Sequence, residues 1–122
     1  MFSSCKKEHK QEQFQKEIAG TWEYESFAGY PYFPSLPPGN GSIIVLSESG
    51  VFERWQHDTL IFKGTYQLIK KNDCQPRVEQ FTFFTNEPYS GKARIDVKDD
   101  KLTISYPVCL IAGGTTYYRR LQ

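Results

Sequence analysis

Long apolar runs and an excess of charge of one sign are both missing from this 122-residue chain. No apolar segment approaches the ~18 residues that a transmembrane helix needs, so we expect none. The 15 basic and 14 acidic residues nearly cancel. Such a balance lacks the one-sided field with which nucleic-acid-binding proteins neutralise phosphates, and it argues against a nucleic-acid partner. The hydrophobic share of 39% and the charged share of 24% indicate one globular domain.

Residues suited to catalysis or metal binding are also scarce. The two histidines, His9 and His57, are far apart in the sequence, which holds no Cys-x-x-Cys pair and no glycine-rich phosphate loop. Asp99-Asp100 is explained better as a hairpin turn than as a pair of catalytic carboxylates. Cys109 has apolar neighbours and therefore no adjacent base to activate its thiol. We predict that the protein is not an enzyme and binds no metal or cofactor.

Aromatic residues, in contrast, make up 16% of the chain. Aromatic side chains favour strands, and turn-forming pairs separate the apolar segments, so the sequence predicts an all-β domain. The predicted strands are residues 21–27, 42–47, 51–57, 60–69, 78–85, 93–98, 101–106 and 115–121. A short helix precedes them, because Phe14 and Ile18 are four residues apart and would share one helical face before Gly20 ends it.

Apolar and polar residues alternate along several of these strands. Leu102, Ile104 and Tyr106, for example, alternate with polar side chains, which gives the strand one dry face and one wet face. Eight such strands with mostly short connections predict an up-and-down antiparallel sheet that closes into a barrel, because closure removes exposed edges. The residues predicted to face inward are Tyr24, Ile44, Leu46, Phe52, Phe62, Tyr66, Leu68, Phe81, Phe83, Ile95, Val97, Leu102, Ile104 and Tyr118.

The third predicted strand can be placed in two ways. If Phe52 faces inward, Arg54 does too, and a buried arginine must be paired. Such an inward Arg54 could anchor the carboxylate of an anionic, lipid-like ligand. The opposite arrangement puts Trp55 inside the barrel and Arg54 in solvent.

One predicted connection is long. Residues 28–41 hold four prolines and three aromatic residues, Tyr30, Tyr32 and Phe33, and proline confines such a stretch to loop or edge conformations. The aromatic residues either plug the mouth of the barrel as part of its core or line the entrance as a lid. Because loops often carry specificity, we count them as candidate ligand-binding residues.

The N-terminal segment predicts a membrane anchor. An apolar residue and two small residues precede Cys5, and this pattern resembles the lipobox of bacterial lipoproteins, in which the cysteine carries a lipid. Residues 6–17 are mostly charged and are interpreted as a solvated tether. The alternative is an ordinary charged helix with Cys5 as an unmodified thiol. We therefore divide the chain into a lipobox remnant with its tether, residues 1–17, and a barrel domain, residues 18–122.

With Cys5 lipidated, Cys74 and Cys109 are left as an even pair in an oxidising compartment, where a disulfide is expected. The predicted topology opposes this bond, because the two cysteines fall in turns at opposite ends of an up-and-down barrel and a disulfide needs Cα atoms within about 7 Å. The alternative is two unpaired, buried cysteines.

The strand pattern and two short motifs resemble the lipocalin-like family. Gly20-Thr21-Trp22 matches the Gly-x-Trp that opens the first lipocalin strand, and Arg119-Arg120 supplies the basic residue near the end of the last one. The resemblance implies that Trp22 lies across the closed end of the barrel with Arg120, or alternatively Arg119, stacked on it. It also implies that the long first loop folds over the open mouth.

The chain is more specifically similar to the small lipocalin-like lipoproteins of Bacteroidetes, through Gly64-Thr65-Tyr66 and a Gly-Gly pair before the closing strand. We therefore expect a lipid-anchored protein of the bacterial cell envelope that binds a small hydrophobic ligand in the barrel. The alternative is a completely filled barrel that serves as an interaction or structural module, with an exposed aromatic patch around Trp55. The candidate ligand-binding residues are Tyr24, Tyr30, Tyr32, Phe33, Phe52, Arg54, Phe62, Tyr66, Phe81, Phe83 and Tyr118.

Overall fold

The computed structural model describes residues 11–29, 33–70, 81–88, 91–106 and 114–121. Within these residues, eight strands form a closed antiparallel barrel in which each strand pairs with its sequence neighbours and the last pairs with the first. The strands are β1 Gly20–Ala28, β2 Ser42–Leu46, β3 Val51–Gln56, β4 Thr59–Lys70, β5 Phe81–Thr85, β6 Ala93–Lys98, β7 Lys101–Tyr106 and β8 Gly114–Leu121. A helix, α1, covers residues 11–18. The predicted all-β, up-and-down, lipocalin-like barrel with a short N-terminal helix is confirmed.

The core lies inside the barrel and consists of the apolar side chains that alternation along the strands directs inward. Every residue predicted to face inward belongs to this core or packs against it. Buried in it are Ile18, Trp22, Ile44, Leu46, Phe52, Tyr66, Leu68, Phe83, Ala93, Ile95, Leu102, Ile104 and Tyr118. Burial raises the pKa of Tyr66 to about 12, so that its hydroxyl remains protonated and donates a hydrogen bond to the carbonyl of Ser47.

Helix α1 closes the end of the barrel at which β1 begins. The Phe14 ring stacks on Phe81 with the ring centroids 4.5 Å apart, and Ile18 is fully buried beside Trp22. The indole Nε1 of Trp22 donates a hydrogen bond to the carbonyl of Ile18 at 2.8 Å. Residues 11–17, the described part of the predicted tether, therefore pack on the barrel as a helix, because the spacing of Phe14 and Ile18 gives that helix one apolar face.

Arg120, rather than Arg119, covers Trp22. Its guanidinium carbon lies 4.2 Å from the centroid of the indole ring, a cation–π arrangement. The same guanidinium donates hydrogen bonds to the carbonyls of Ala19 and Glu17, at 3.0 and 2.8 Å. Arg120 therefore joins the last strand to the carbonyl groups that the C-terminal end of α1 leaves without helical partners.

Gly20 is required by this arrangement. Its φ of +145° is a conformation that L side chains rarely adopt, and a Cβ atom there would lie 2.8 Å from Nη1 of Arg120. Gly20, Trp22 and Arg120 together form the structural group that the resemblance implies.

A bulge between β3 and β4 turns Leu60 outward. The pairing runs from Arg54 opposite Phe62 to Trp55 opposite Leu60, so that β4 has one extra residue there. Leu60 consequently lies on the outer face beside Trp55, and its side chain is 43% exposed. Simple alternation, which places Leu60 on the same face as Phe62, is wrong at this position.

Cys5, Cys74 and Cys109 lie outside the described residues, as do Tyr30 and Tyr32. The flanks of Cys74, at the end of β4 and the start of β5, belong to the closed end of the barrel, whereas β7 ends and β8 begins at the open end. The topological objection to a bond between Cys74 and Cys109 therefore persists, and the disulfide stays a prediction.

Replacing Arg120 with Ala should lower the free energy of unfolding by about 2–3 kcal/mol, because the stacking on Trp22 and two charged hydrogen bonds are lost together. The free energy of unfolding of Arg120→Lys should lie between those of the wild type and Arg120→Ala, since lysine keeps the charge but lacks the planar guanidinium. Urea denaturation followed by tryptophan fluorescence measures the effect. Lys98→Ala, at an exposed position, is the control, and a loss in Arg120→Ala no larger than in this control would contradict the account.

Candidate ligand-binding site

Two cavities lie at the open end of the barrel. The inner one, here called the upper chamber, has a volume of about 200 Å³ and lies among Ile44, Phe52, Phe83, Thr85, Glu87, Ile104 and Tyr106. The outer one, here called the mouth cleft, has a volume of about 610 Å³ and lies among Tyr24, Phe27, Phe33, Pro34, Leu36, Ser42 and Gln56. Arg54, Thr116 and Tyr118 line both cavities. These three residues therefore mark the boundary at which a molecule in the cleft would reach the chamber.

Arg54 faces the lumen. The pairing of β2 with β3 places it opposite Ile44, one of the buried core residues, and so settles the orientation that the sequence left open. Its guanidinium forms a two-pronged ion pair with Glu87, in which Nε and Nη2 donate to the two carboxylate oxygens at 2.8 and 2.9 Å. The guanidinium carbon also lies 5.5 Å from the centroid of the Phe52 ring. Arg54 is therefore the paired charge that an inward position requires.

Glu87 reaches Arg54 from the bend that follows β5. Thr85 is the last residue of β5 and faces the chamber, and Glu87 lies two residues further. The hydroxyl of Thr85 accepts a hydrogen bond from the amide of Glu87 at 3.2 Å.

Asn86 holds this segment against β4. Its side-chain oxygen accepts a hydrogen bond from the amide of Thr65 at 2.9 Å, and its own amide donates to the Thr65 carbonyl at 3.2 Å. Gly64 makes room for this contact, since a Cβ atom there would lie 2.1 Å from the Asn86 oxygen. The Gly64-Thr65-Tyr66 motif thus helps to place Glu87 in the lumen.

Electrostatics keep the guanidinium charged and the neighbouring hydroxyl neutral. Burial alone would lower the pKa of Arg54, but its hydrogen bonds and charge interactions with Glu87 and Tyr118 outweigh burial and raise that pKa. Burial also raises the pKa of Tyr118, although the nearby Arg54 opposes that shift. The chamber therefore presents the charged guanidinium of Arg54 and the neutral phenol of Tyr118 beside Glu87. Thr85, Tyr106 and Thr116 add further hydroxyl groups to its lining.

The loop after β1 is fastened to the outside of the barrel by a buried carboxylate. Glu23 points away from the lumen but is only 2% exposed, because the loop covers it. Both of its oxygens accept hydrogen bonds from the amide of Gly39, at 2.9 and 3.1 Å. Arg119 pairs with Glu23 across β1 and β8, and its Nε lies 3.5 Å from Oε1 of Glu23. Its Nη2 donates a hydrogen bond to the carbonyl of Leu36 at 2.7 Å.

The same loop forms one wall of the mouth cleft. The register between β1 and β8 shifts at Glu25, and the carbonyl of Glu25 accepts a hydrogen bond from the amide of Leu36 at 3.0 Å. The hydroxyl of Tyr24 donates to the carbonyl of Pro34 at 3.1 Å, and Phe33 packs edge-on against Phe27. Phe33 nevertheless remains 51% exposed, so it lines the entrance instead of plugging the core.

The candidate ligand-binding residues fall into three groups. Those that line a cavity are Tyr24, Phe33, Phe52, Arg54, Phe83 and Tyr118. Phe62, Tyr66 and Phe81 line neither cavity and belong to the packed part of the barrel, where Phe81 contacts α1. Tyr30 and Tyr32 lie outside the described residues.

Several lining residues are absent from the candidates predicted from the sequence, and Glu87 and Thr116 are the two on which the site depends most. Glu87 lies beyond the last residue of β5, although extending the alternation of Phe81, Phe83 and Thr85 by one more step would have pointed to it. Thr116 lines both cavities, but a threonine gives no signal of its own in a strand.

Within the described ranges, no group of three or more His, Cys, Asp or Glu residues could hold a metal ion. The described part of the chain also contains no helix with the length and apolar character needed to cross a membrane. Comparison with protein-family models, with curated proteins and with solved structures found no match.

Glu23→Gln should lower the free energy of unfolding by about 2 kcal/mol, because it removes the buried charge that faces the partly buried Arg119. It should also speed hydrogen exchange at the amides of Leu36 and Gly39, which the loop attachment protects. Glu25→Gln is the matched control on the same strand, since its ion pair with Lys101 is half exposed and contributes at most about 1 kcal/mol. Equal exchange rates in the two variants would show that Glu23 does not fasten the loop.

Proposed function

We propose that the protein is a lipid-anchored lipoprotein of the bacterial cell envelope whose barrel binds a small hydrophobic ligand at its mouth. The observation that carries this proposal is the upper chamber, a partly apolar space deep in an otherwise packed barrel and lined by residues that also line the mouth cleft. Binding sites for small molecules are typically concave, mostly apolar and supplied with a few convergent polar groups. The cleft supplies the mostly apolar surface, and the chamber supplies the convergent polar groups of Arg54, Glu87 and Tyr118.

The volume of the chamber limits the size of the ligand. A dry cavity of about 150 Å³ is large enough for benzene, so the chamber, at about 200 Å³, has room for one aromatic ring or a short acyl chain. A longer ligand would extend past Thr116 into the mouth cleft, where Phe27 and Phe33 offer aromatic surface. Arg54 and Tyr118 would contact the polar part of such a molecule at the boundary between the two cavities.

The anchor is proposed from the sequence. The lipobox-like residues before Cys5 and the similarity to lipocalin-like lipoproteins of Bacteroidetes support a lipid on its thiol and an envelope location. The mass of the denatured protein purified from membranes of its own cells tests this, because a covalent lipid stays attached. A mature chain with an unmodified Cys5 would contradict the anchor and leave the ligand site as a separate question.

A second candidate function is favoured by the outer surface of β3 and β4. Leu60 and Ile61 are 43% and 57% exposed beside Trp55, whose indole donates a hydrogen bond to Glu53. Exposed apolar residues next to an aromatic side chain suit an interaction surface for another envelope protein. This alternative needs no ligand, so binding measurements distinguish the two.

Thr116→Phe should abolish binding of small hydrophobic probes, because the added ring would occupy the boundary between the chamber and the cleft. Thr103→Phe is the matched control, since Thr103 lies on the neighbouring strand and its side chain faces outward, near Asp96. Titration with an environment-sensitive fluorescent probe such as 1-anilinonaphthalene-8-sulfonate, with fatty acids as competitors, measures binding. We expect the control to bind like the wild type and Thr116→Phe to lose at least about tenfold in affinity.

Two results would count against ligand binding. The first is a wild-type protein that binds neither the probe nor any fatty acid, which would favour the interaction module. The second is equal probe binding by the two variants, which would place the probe outside the chamber.

A further inference from the structure

Glu87 already places a carboxylate in the upper chamber. Its two oxygens hold the guanidinium of Arg54 at 2.8 and 2.9 Å, in the planar two-pronged geometry that arginine commonly forms with a carboxylate. The phenol of Tyr118 lines the same chamber and helps to raise the pKa of Arg54. The chamber is therefore built around a carboxylate-binding group, and a side chain of the protein itself occupies that group.

The carboxylate comes from a connection, whereas its partner is fixed in the sheet. Arg54 lies within β3 and is paired on both sides, with Ile44 of β2 and Phe62 of β4. Glu87 lies beyond β5, after Asn86, whose bonds to Thr65 fasten the backbone to the barrel. Rotation of the Glu87 side chain alone can therefore release Arg54, and that side chain already borders solvent, with 21% of its surface exposed.

We propose that the ligand is a small aromatic or short-chain carboxylic acid in its anionic form, and that its carboxylate replaces that of Glu87 on Arg54. This inference rests on the proposed function, because it names the ligand class of the same chamber. It goes further in assigning Glu87 as a built-in competitor that holds the site in the absence of ligand.

Charge balance favours replacement of the Glu87 carboxylate by that of the ligand over binding of both carboxylates to Arg54. With Glu87 in place the guanidinium is already neutralised, so a second carboxylate would enter a partly buried space beside a like charge. When Glu87 swings outward into solvent, the incoming carboxylate restores the pair and the chamber stays neutral. The side chain of Glu87 therefore lowers the affinity for every anionic ligand, and weakly bound anions cannot displace it.

The apolar part of the chamber lining favours a ligand with an apolar body attached to its carboxylate. Phe52, Phe83 and Ile104 line the chamber beyond the guanidinium and offer contacts to a ring or a short chain. Thr85, Tyr106 and Thr116 add hydroxyl groups to the same lining. A free inorganic anion would gain the charge interaction without the apolar contacts. An acid with an apolar body, such as benzoate, uses both parts of the site.

Binding measurements on Glu87→Gln test whether the ligand replaces Glu87 on Arg54 or only fills a cavity. The variant keeps the size of the side chain but removes the charge that competes with the ligand for Arg54. Benzoate should therefore bind to the variant about tenfold more tightly than to the wild type, which corresponds to the contribution of one charged hydrogen bond. Benzyl alcohol, the neutral probe of similar shape, should bind the two proteins equally. In the double variant Arg54→Gln with Glu87→Gln, the gain for benzoate should disappear. Isothermal titration calorimetry with the full chain measures all of these affinities.

The results test the exchange of Glu87 and the ligand-binding function separately. If benzyl alcohol binds but Glu87→Gln leaves the benzoate affinity unchanged, the exchange is overturned and the ligand-binding function stands. If neither probe binds the wild type or the variants, both are overturned. Should Glu87→Gln fail to fold because Arg54 has lost its partner, benzoate must restore folding and benzyl alcohol must not, since only a carboxylate can replace the missing charge. Failure of benzoate to do so also overturns the exchange.

Discussion

The pairing of β1 with β8 closes the barrel, and the rest of the structure depends on its register. Three successive pairs along this seam have three different roles: Trp22 opposite Arg120, Glu23 opposite Arg119, and Tyr24 opposite Tyr118. Because successive side chains point to opposite faces, the first and third pairs lie inside and the second lies outside. A shift by one residue would reverse all three, so that the plug of the closed end, the attachment of the loop and the wall of the site would be lost together.

The seam also explains why the barrel is packed at one end and hollow at the other. Near its start, large aromatic rings and α1 meet and leave the closed end filled, with Trp22 under Arg120 and Phe14 on Phe81. Near the mouth, Glu23 fastens the described part of the loop, residues 33–41, to the outer wall through the amide of Gly39. The paired charges of Arg54 and Glu87 occupy the space in between, and the upper chamber lies beside them.

Alternation was sufficient to predict the fold and the inward-facing residues, because most strands have one apolar face. It failed where two signals conflicted. The strand that contains Phe52 and Trp55 carries a large apolar residue on each face, so only its pairing with β2 and β4 shows that Arg54 is inside. The bulge that exposes Leu60 depends on the register with the neighbouring strand, which no local pattern encodes.

The roles of two carboxylates, Glu23 and Glu87, could not be predicted from the sequence pattern. Glu23 occupies an outward position that would normally be solvated, and it is buried only because a distant loop folds over it. Glu87 lies outside any strand, and its role depends on Asn86 and Gly64, which hold the chain in place. Sequence patterns report which face a residue takes, whereas these two positions are determined by which loop or connection reaches them.

The central claim is that the mouth of the barrel is a ligand site, and a native mass spectrum of the protein purified without denaturant from its own cells tests it most directly. The account predicts an additional mass that is lost on denaturation and that matches a small acid with an apolar body. A protein that carries no such mass, and that remains bare after incubation with a lipid and fatty-acid extract of the same cells, would contradict the claim.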